Sequence, residues 1–498
     1  MARYERLTVL DELFLHLEGP DTHMHVGGVA VFDGPPPEYE EIKDMIQQRL
    51  QMVPRFRQKL MTVPFGLGRP VWVDDTHFNL EYHVRHTALP SPGTHTKLKR
   101  LAARIMSQQL DRSKPLWEIW FAEGFDDGRF ALISKTHHCL VDGVSGADIM
   151  SVILDLGPEP QYIEQKPWRP EPEPTADQLL IDALKERLTS PAEAVRVVQS
   201  TLMDPAKLPN KLMEAARSVG AFVGGSLDLA PASTLNRPIG PHRRFETVSI
   251  ELAEVKRIKN SLGGTVNDVV LAIVSGGLRN LLQARGEKVE GLELRGMIPV
   301  SVRADSDRGN LGNQVASLWV SLPVHEPDSL KRLALLSERM KDLKASGQAV
   351  GAQLLTSLGE YAPPTIIAQA SRLVARQRAF NLVVTNVPGP QIPLYTLGRE
   401  MQVVYPVVPL AGNTTIGIAL LSYNGTIGFG LLGDYDAAPD LAVLAEGIEK
   451  SLSQLLNAVP DETESEPPKR MDAVKPPASR AAATKKASPA RKTTTRSN

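Results

Sequence analysis

The 498-residue chain has a single cysteine, Cys139, which excludes an internal disulfide and makes a reducing compartment, the cytosol, the expected setting. Net charge is also nearly absent, at -1, so the bulk composition lacks the basic footprint of a nucleic-acid-binding body. Long apolar runs are missing. The most apolar stretch, 403–432, is interrupted by Pro406, Pro409, Asn413 and Asn424, well short of the about 20 continuous apolar residues of a spanning helix. At the start, Met1-Ala2-Arg3-Tyr4-Glu5-Arg6 offers neither an apolar core nor a small-residue cleavage site, so export is not expected and any membrane contact should be peripheral.

What remains, 42% hydrophobic and 23% charged residues, describes an ordinary folded protein too long for one hydrophobic core. Two domains with a cleft between them are expected, over 1–160 and 241–457. A linker with bridging helices should fill 161–240, entered through the Pro- and Glu-rich stretch 158–175. Residues 469–498 hold nine Lys or Arg against one acid, so 458–498 should form a disordered basic tail on an acidic body. Such a tail can simply solvate, or can attract an anionic membrane or nucleic acid; nothing in the body supports the last.

Periodicity places a helix at Asp11 to Glu18 and a strand at Met24 to Phe32, then amphipathic helices over 39–60 and Leu98 to Leu110. Leu116 to Phe125 and Phe130 to Leu140 read as paired strands around the hairpin signal Asp126-Asp127-Gly128-Arg129. A Ser145/Asp148 helix cap follows, so the run His137-His138-Cys139-Leu140-Val141-Asp142-Gly143 sits on a strand-to-helix turn. In the second half a strand at Val248 to Leu252, helices including Val266 to Arg285, and strands at 294–303, 314–322, 381–387 and 415–432 are expected.

Adjacent strand residues face opposite ways, so His137 and His138 cannot both enter one cavity: one imidazole is available for chemistry and the other for support. The same geometry argues against a metal site, since ligands facing apart do not chelate one ion. Cys139 invites a nucleophile reading, set against the commoner role of a buried thiol as a small hydrophobe. A lone histidine suffices as a base, because its ordinary pKa of about 6.5 leaves it mostly neutral near pH 7. Asp142 can orient an imidazole or pair with an arginine, and Gly143 suits a turn that a side chain would obstruct.

The His-His-x-x-x-Asp-Gly run does not stand alone. It is preceded by Asp11-Glu12-Leu13-Phe14-Leu15-His16-Leu17-Glu18, Met24-His25-Val26-Gly27-Gly28 and Pro115-Leu116-Trp117-Glu118. After it come Gly263-Gly264-Thr265-Val266-Asn267-Asp268, Pro299-Val300-Ser301-Val302-Arg303, Gly312-Asn313-Gln314 and Thr385-Asn386-Val387-Pro388-Gly389-Pro390. In this order, and up to about residue 457, the chain resembles the bacterial wax ester synthase/diacylglycerol acyltransferase family.

That resemblance implies an α/β fold of the α+β type, with two chloramphenicol-acetyltransferase-like domains, each a mixed sheet flanked by helices, and a tunnel at their junction. It implies acyl transfer from fatty acyl-CoA to diacylglycerol, or to long-chain alcohols, with no cofactor and no metal. His138 is then the general base, supported by His137, Asp142 and Gly143. Asn267 and Thr385 are candidate oxyanion donors, with helix capping as the alternative for Asn267. Trp117, Glu18, Asp268 and Arg303 complete the candidate substrate-binding set, Arg303 also being the first partner to test for Asp142. Core packing is the plain alternative for Trp117, and a solvated helix end for Glu18. Other products of this pattern are an acyltransferase for another hydroxylated lipid, an enzyme acting on carrier-protein thioesters, or a lipid-binding protein without turnover. The setting implied is cytoplasmic, with peripheral contact to the inner membrane face or lipid droplets.

Overall fold

In a computed structural model, which describes residues 4–140, 154–185, 229–301, 315–345, 379–410 and 412–460, the apolar segments pair into two six-stranded sheets. The first joins β1 (His25–Phe32), β4 (Val84–Ala88), β5 (Trp117–Glu123), β6 (Phe130–His137), β11 (Tyr395–Thr396) and β12 (Arg399–Val407) in the order β11-β12-β1-β6-β5-β4. β7 (Arg243–Glu251), β8 (Leu294–Ser301), β9 (Val315–Leu322), β10 (Leu382–Pro388), β13 (Ile416–Tyr423) and β14 (Thr426–Asp434) make the second, ordered β7-β14-β13-β10-β8-β9. A ribbon of β2 (Gln58–Met61) and β3 (Val71–Asp74) stands apart. Both sheets are mixed: β4 runs parallel to β5, and β10 parallel to β8 and β13.

Every residue of β6 is buried, because the first sheet is covered on both faces. Phe130 and Leu132 pack with Ile42 and Ile46 of α2 (Tyr39–Arg49), whereas Ala131 and Ile133 pack on Leu98, Leu101 and Ile105 of α4 (His95–Met106). Each such fully buried aliphatic side chain contributes about 1.5–3 kcal/mol. Helix α2 stops at Arg49, not near residue 60 as its periodicity suggests. Pro54 lacks the N–H an α-helix needs there, and two 3-10 turns lead into β2 instead.

On the second sheet, α6 (Val266–Ala284) and α8 (Leu441–Asn457) bury Val269, Ile273, Leu278, Leu444 and Ile448 against Leu382, Val384, Ile418 and Phe429. The sheets meet where β12 crosses β14. Cβ atoms added at Gly428 and Gly430 would lie 2.1 Å and 1.8 Å from the carbonyl oxygens of Val404 and Pro406, so only glycine admits this approach. Thus a strand from the later half completes the first sheet, Val404 pairing with Ala30. Residues 415–432 are a hairpin, not one strand: Asn424 (φ 41°) and Gly425 (φ 86°) form its turn.

The described residues up to Val459 belong to one compact unit. No single described helix is long and apolar enough to cross a membrane. The bent pair Leu252–Leu262 and Val266–Ala284 passes such a test only jointly, at 103°, and the apolar residues of α6 lie in the core. The helix expected after the histidine turn, most of the bridging segment and the tail lie outside the described residues.

Candidate active site

The histidine turn is built by backbone bonds from both sides. β6 ends at His137, whose N–H donates to Leu116 O (2.9 Å), and the N–H of His138 donates to Met24 O (2.8 Å). His138 then opens a 3-10 turn, His138–Leu140. The two rings therefore part through this turn, and not through strand alternation alone. His137 faces β1, where its cross-strand partner is His25, with ring centroids 6.3 Å apart.

Behind these rings lies a carboxylate. Thr8 caps α1 (Val9–Leu17) by accepting from the Asp11 N–H, and Glu18 ends that helix with its own N–H on Phe14 O. The Glu18 side chain turns inward, 2% exposed, and accepts from Arg112 Nε (2.8 Å); Arg112 Nη2 also bonds Leu15 O. His137 Nε2 is 3.5 Å from Glu18 Oε2, and His25 Nε2 is 3.6 Å from Oε1. Burial alone would raise the Glu18 carboxyl, but the His137 contact and the Arg112 charge outweigh it, and its pKa falls below the ordinary value. Burial, aided by Lys135, pushes His25 well down. His137 Nδ1 accepts the Cys139 backbone N–H (3.1 Å), which leaves Nε2 to carry the proton facing Glu18.

His138 stands apart from that network. Its ring stacks on Phe14 with centroids 3.9 Å apart; the residue as a whole is half-buried, and Nδ1 is shut from solvent. Burial chiefly, with the neighbouring His137 second among the lowering causes, brings its pKa down to about 4. At neutral pH this ring is an uncharged base. Cys139 is fully buried, its Sγ 2.9 Å from His137 Nδ1, and burial with the charges of Asp11 and Glu18 pushes the thiol well up. It is therefore held as a thiol and lacks the thiolate a nucleophile needs. Folded Cys139→Ala protein should keep turnover within about threefold, since it removes packing and the weak Sγ contact while the backbone N–H on His137 Nδ1 stays. A steady-state assay beside thiol-reagent resistance of the wild type checks this.

Three substrate-binding assignments change. Trp117 is fully buried: Nε1 donates to Phe56 O (2.8 Å) and the ring stacks on His83 (4.6 Å), so it is core and lines no path. Glu18 is not a solvated helix end: its carboxylate is buried against Arg112 and the two imidazoles, with Oε1 left without a hydrogen-bond partner. Asp268 accepts the Thr265 N–H through Oδ2 (2.8 Å), the return half of a capping box at the start of α6. Thr265, not Asn267, is the cap residue. Asn267 Oδ1 accepts from Asn386 Nδ2 (3.3 Å), on the helix face of β10. Thr385 lies on the opposite face, that of Val383, which packs on Val408 just after β12. The two oxyanion candidates thus do not share a face. Asp142, Gly143 and Arg303 lie outside the described residues.

Arg112, Phe14 and the inward role of His25 escaped the sequence reading. Arg112 is 94 residues from Glu18, and no local period links them. Among the described residues one group, Asp75, His77 and Glu173, brings three ligand-type atoms within 4.8 Å of one another; Lys59 already lies 2.7 Å from Glu173 and 3.6 Å from Asp75.

With this geometry in view, known proteins place the chain. The profile of the wax ester synthase/diacylglycerol acyltransferase catalytic domain matches residues 7–270, and that of the C-terminal domain matches 311–456. The probable diacylglycerol O-acyltransferase tgs1 of Mycobacterium tuberculosis is 35% identical over 456 residues, 90% of this chain and 95% of that protein. The solved wax ester synthase/diacylglycerol acyltransferase of Marinobacter aquaeolei VT8 is 29% identical, with a TM-score of 0.65 over 91% of this chain and all of that one. A condensation domain of the calcium-dependent antibiotic synthetase shares the fold at 14% identity and a TM-score of 0.55. The chain belongs to the wax ester synthase/diacylglycerol acyltransferase family and is an acyltransferase.

Proposed function

We propose that the protein forms triacylglycerol by moving a fatty acyl group from acyl-CoA to the free hydroxyl of diacylglycerol, with His138 as general base. The observation that carries this is the neutral His138 ring, on a half-buried residue in a turn tied down by two backbone bonds. His138 takes the hydroxyl proton, the oxygen attacks the thioester carbonyl, the carbon–sulfur bond breaks, and the proton passes to the coenzyme A sulfur. Neither a covalent acyl-enzyme nor a cofactor enters this route. Thr385 remains the candidate oxyanion donor, on the face of β10 that carries Val383 and lies away from the helices; one such donor contributes about 3–4 kcal/mol of barrier lowering. Asn267, tethered to Asn386, holds the start of α6 against β10.

Long-chain alcohols are a second acceptor class, favoured by the likeness to the Marinobacter wax ester synthase/diacylglycerol acyltransferase. Work at an inner membrane face or a droplet surface, in the cytoplasm, fits acceptors that are insoluble in water. Release of free coenzyme A from palmitoyl-CoA, measured with diacylglycerol, with hexadecanol and with neither, tests the whole scheme. We expect release only with an acceptor, and faster with diacylglycerol. Absence of release with both would leave a carrier-thioester substrate or a lipid binder without turnover.

A further inference from the structure

Arg243 opens β7, an edge strand of the second sheet, yet two of its bonds cross to the first half of the chain. Its backbone N–H donates to Ser107 Oγ (2.9 Å), just past the end of α4, and Nη2 of its buried guanidinium donates to Asp21 O (2.6 Å). Nη1 donates to the carbonyls of Gly240 and His242. Burying a guanidinium costs free energy unless its donors are met. The carboxylate of Asp434 stands 3.8 Å away and accepts the backbone N–H groups of Gly240, Asp436 and Ala437, so carbonyl oxygens supply the hydrogen bonds.

Asp21 lies in the short loop that leads from α1 to β1. Gly19 and Thr22 close this loop with a reciprocal pair of backbone bonds (2.9 and 3.3 Å). Gln109 Nε2 donates to Gly19 O (2.7 Å), and the buried His23 ring donates through Nε2 to Pro20 O (2.9 Å). A loop so closed moves as one piece. Its last residue, Met24, is buried and offers the carbonyl that receives the His138 N–H (2.8 Å). The residues flanking the loop, Glu18 and His25, belong to the carboxylate network behind the turn. The carbonyl that Arg243 holds is therefore in the same closed loop as the carbonyl that holds the base.

We infer that Arg243 is a positioning residue for the acyl transfer: from the second sheet it fixes the Gly19–Met24 loop, and through the Met24 carbonyl it fixes where the His138 ring stands. Hydrogen bonds from a charged donor are among the stronger ones, and here one side chain ties a loop of the first half to a strand of the second. The inference rests on the reading that His138 is the base, but the link from Arg243 to the turn is measured without substrate, so the two can be told apart.

Full-length Arg243→Met protein loses these side-chain donors, and Arg243→Lys keeps the charge without the planar fork that spans several carbonyls. Arg332→Met serves as control: that arginine is also buried, and its partners are Ala272 O, Glu326 O and Ser451 Oγ. In hydrogen exchange without substrate, the amides of His137 and His138 should open about tenfold faster in Arg243→Met, measured against β5 in the same protein, and should not in Arg332→Met. With palmitoyl-CoA and hexadecanol, kcat should fall by about 10–100-fold in Arg243→Met, the scale of loss when a reacting group is misplaced by about 1 Å, while KM for acyl-CoA holds. Arg243→Lys should lose about threefold or more and so retain part of the activity. On a His138→Ala background either change should cost less than about twofold, because its route to the chemistry is already gone. A loss undiminished beside His138→Ala, a loss in KM alone, a kcat no lower than that of Arg332→Met, or unchanged exchange at the turn would each overturn the inference. Should Arg243→Met not fold, Arg243→Lys carries the same cycle. Full turnover in His138→Ala protein would overturn the reading of the base, and the inference with it, whatever the exchange shows.

Discussion

Replacing His138 by alanine should lower turnover by about 10²–10⁴-fold, the range a positioned general base supplies, while the protein stays folded. The ring's main packing partner is Phe14, and loss of one stacked pair costs about 0.5–1.5 kcal/mol, too little to unfold a chain of this size. Because the base acts in the transition state and not in holding the acyl chain, the loss should fall on kcat and leave KM for acyl-CoA nearly unchanged. Circular dichroism and a thermal melt on the same sample separate chemistry from folding. Near-wild-type turnover in folded His138→Ala protein would remove this residue from the mechanism.

The pH profile gives a second view of the same ring. A base works only unprotonated, and burial sets the His138 pKa at about 4 instead of the ordinary 6.5. Activity should therefore hold as pH falls through the usual imidazole range and decline only toward about pH 4, provided acid unfolding is tracked in parallel. A limb near 6.5 in kcat/KM would mean that the free enzyme leaves the ring solvated.

Much of this arrangement was legible in local sequence. The Asp-Gly signal at 127–128 correctly joins β5 to β6, and the period of Val266 to Arg285 finds α6 almost to the residue. Pro54 and Asn424-Gly425 were equally visible as a helix stop and a hairpin turn; helical period at 39–60 and continuous apolarity at 415–432 obscured them. β12 is a different matter. Its place in the first sheet depends on pairing Val407 with Gly27 and on the two glycines of β14 that let it pass, contacts with no local period. At the site, motif residues were found, but their partners decide what they do. Trp117 and Asp268 look functional as types and spacing, yet Phe56 O and the Thr265 N–H claim their polar atoms. Glu18 gains its meaning only when Arg112 and two histidines from separate strands close around it.

Glu18→Gln should therefore reduce kcat by about 10–100-fold, the usual loss when a partner that orients an active-site imidazole is removed. Glutamine keeps the shape but not the charge that Arg112 and the Nε2 proton of His137 face, so the ring next to the base keeps its tautomer through the Cys139 N–H but loses the charge that holds its orientation. Glu18 touches no substrate in this scheme, so KM should hold, and Glu18→Asp should recover more activity than Glu18→Gln. Stability should fall by about 1.5–3 kcal/mol, the range for hydrogen bonds to a charged group, and less than for a wholly buried pair because Arg112 is half exposed. The folded carboxyl lies below its unfolded pKa, so the stability it contributes is full above the ordinary carboxyl range and is lost as pH falls through the folded value. In denaturant titrations the wild type should lose its advantage over Glu18→Gln in acid. An advantage unchanged by pH would mean that shape, and not the carboxylate charge, is what Glu18 contributes to the turn.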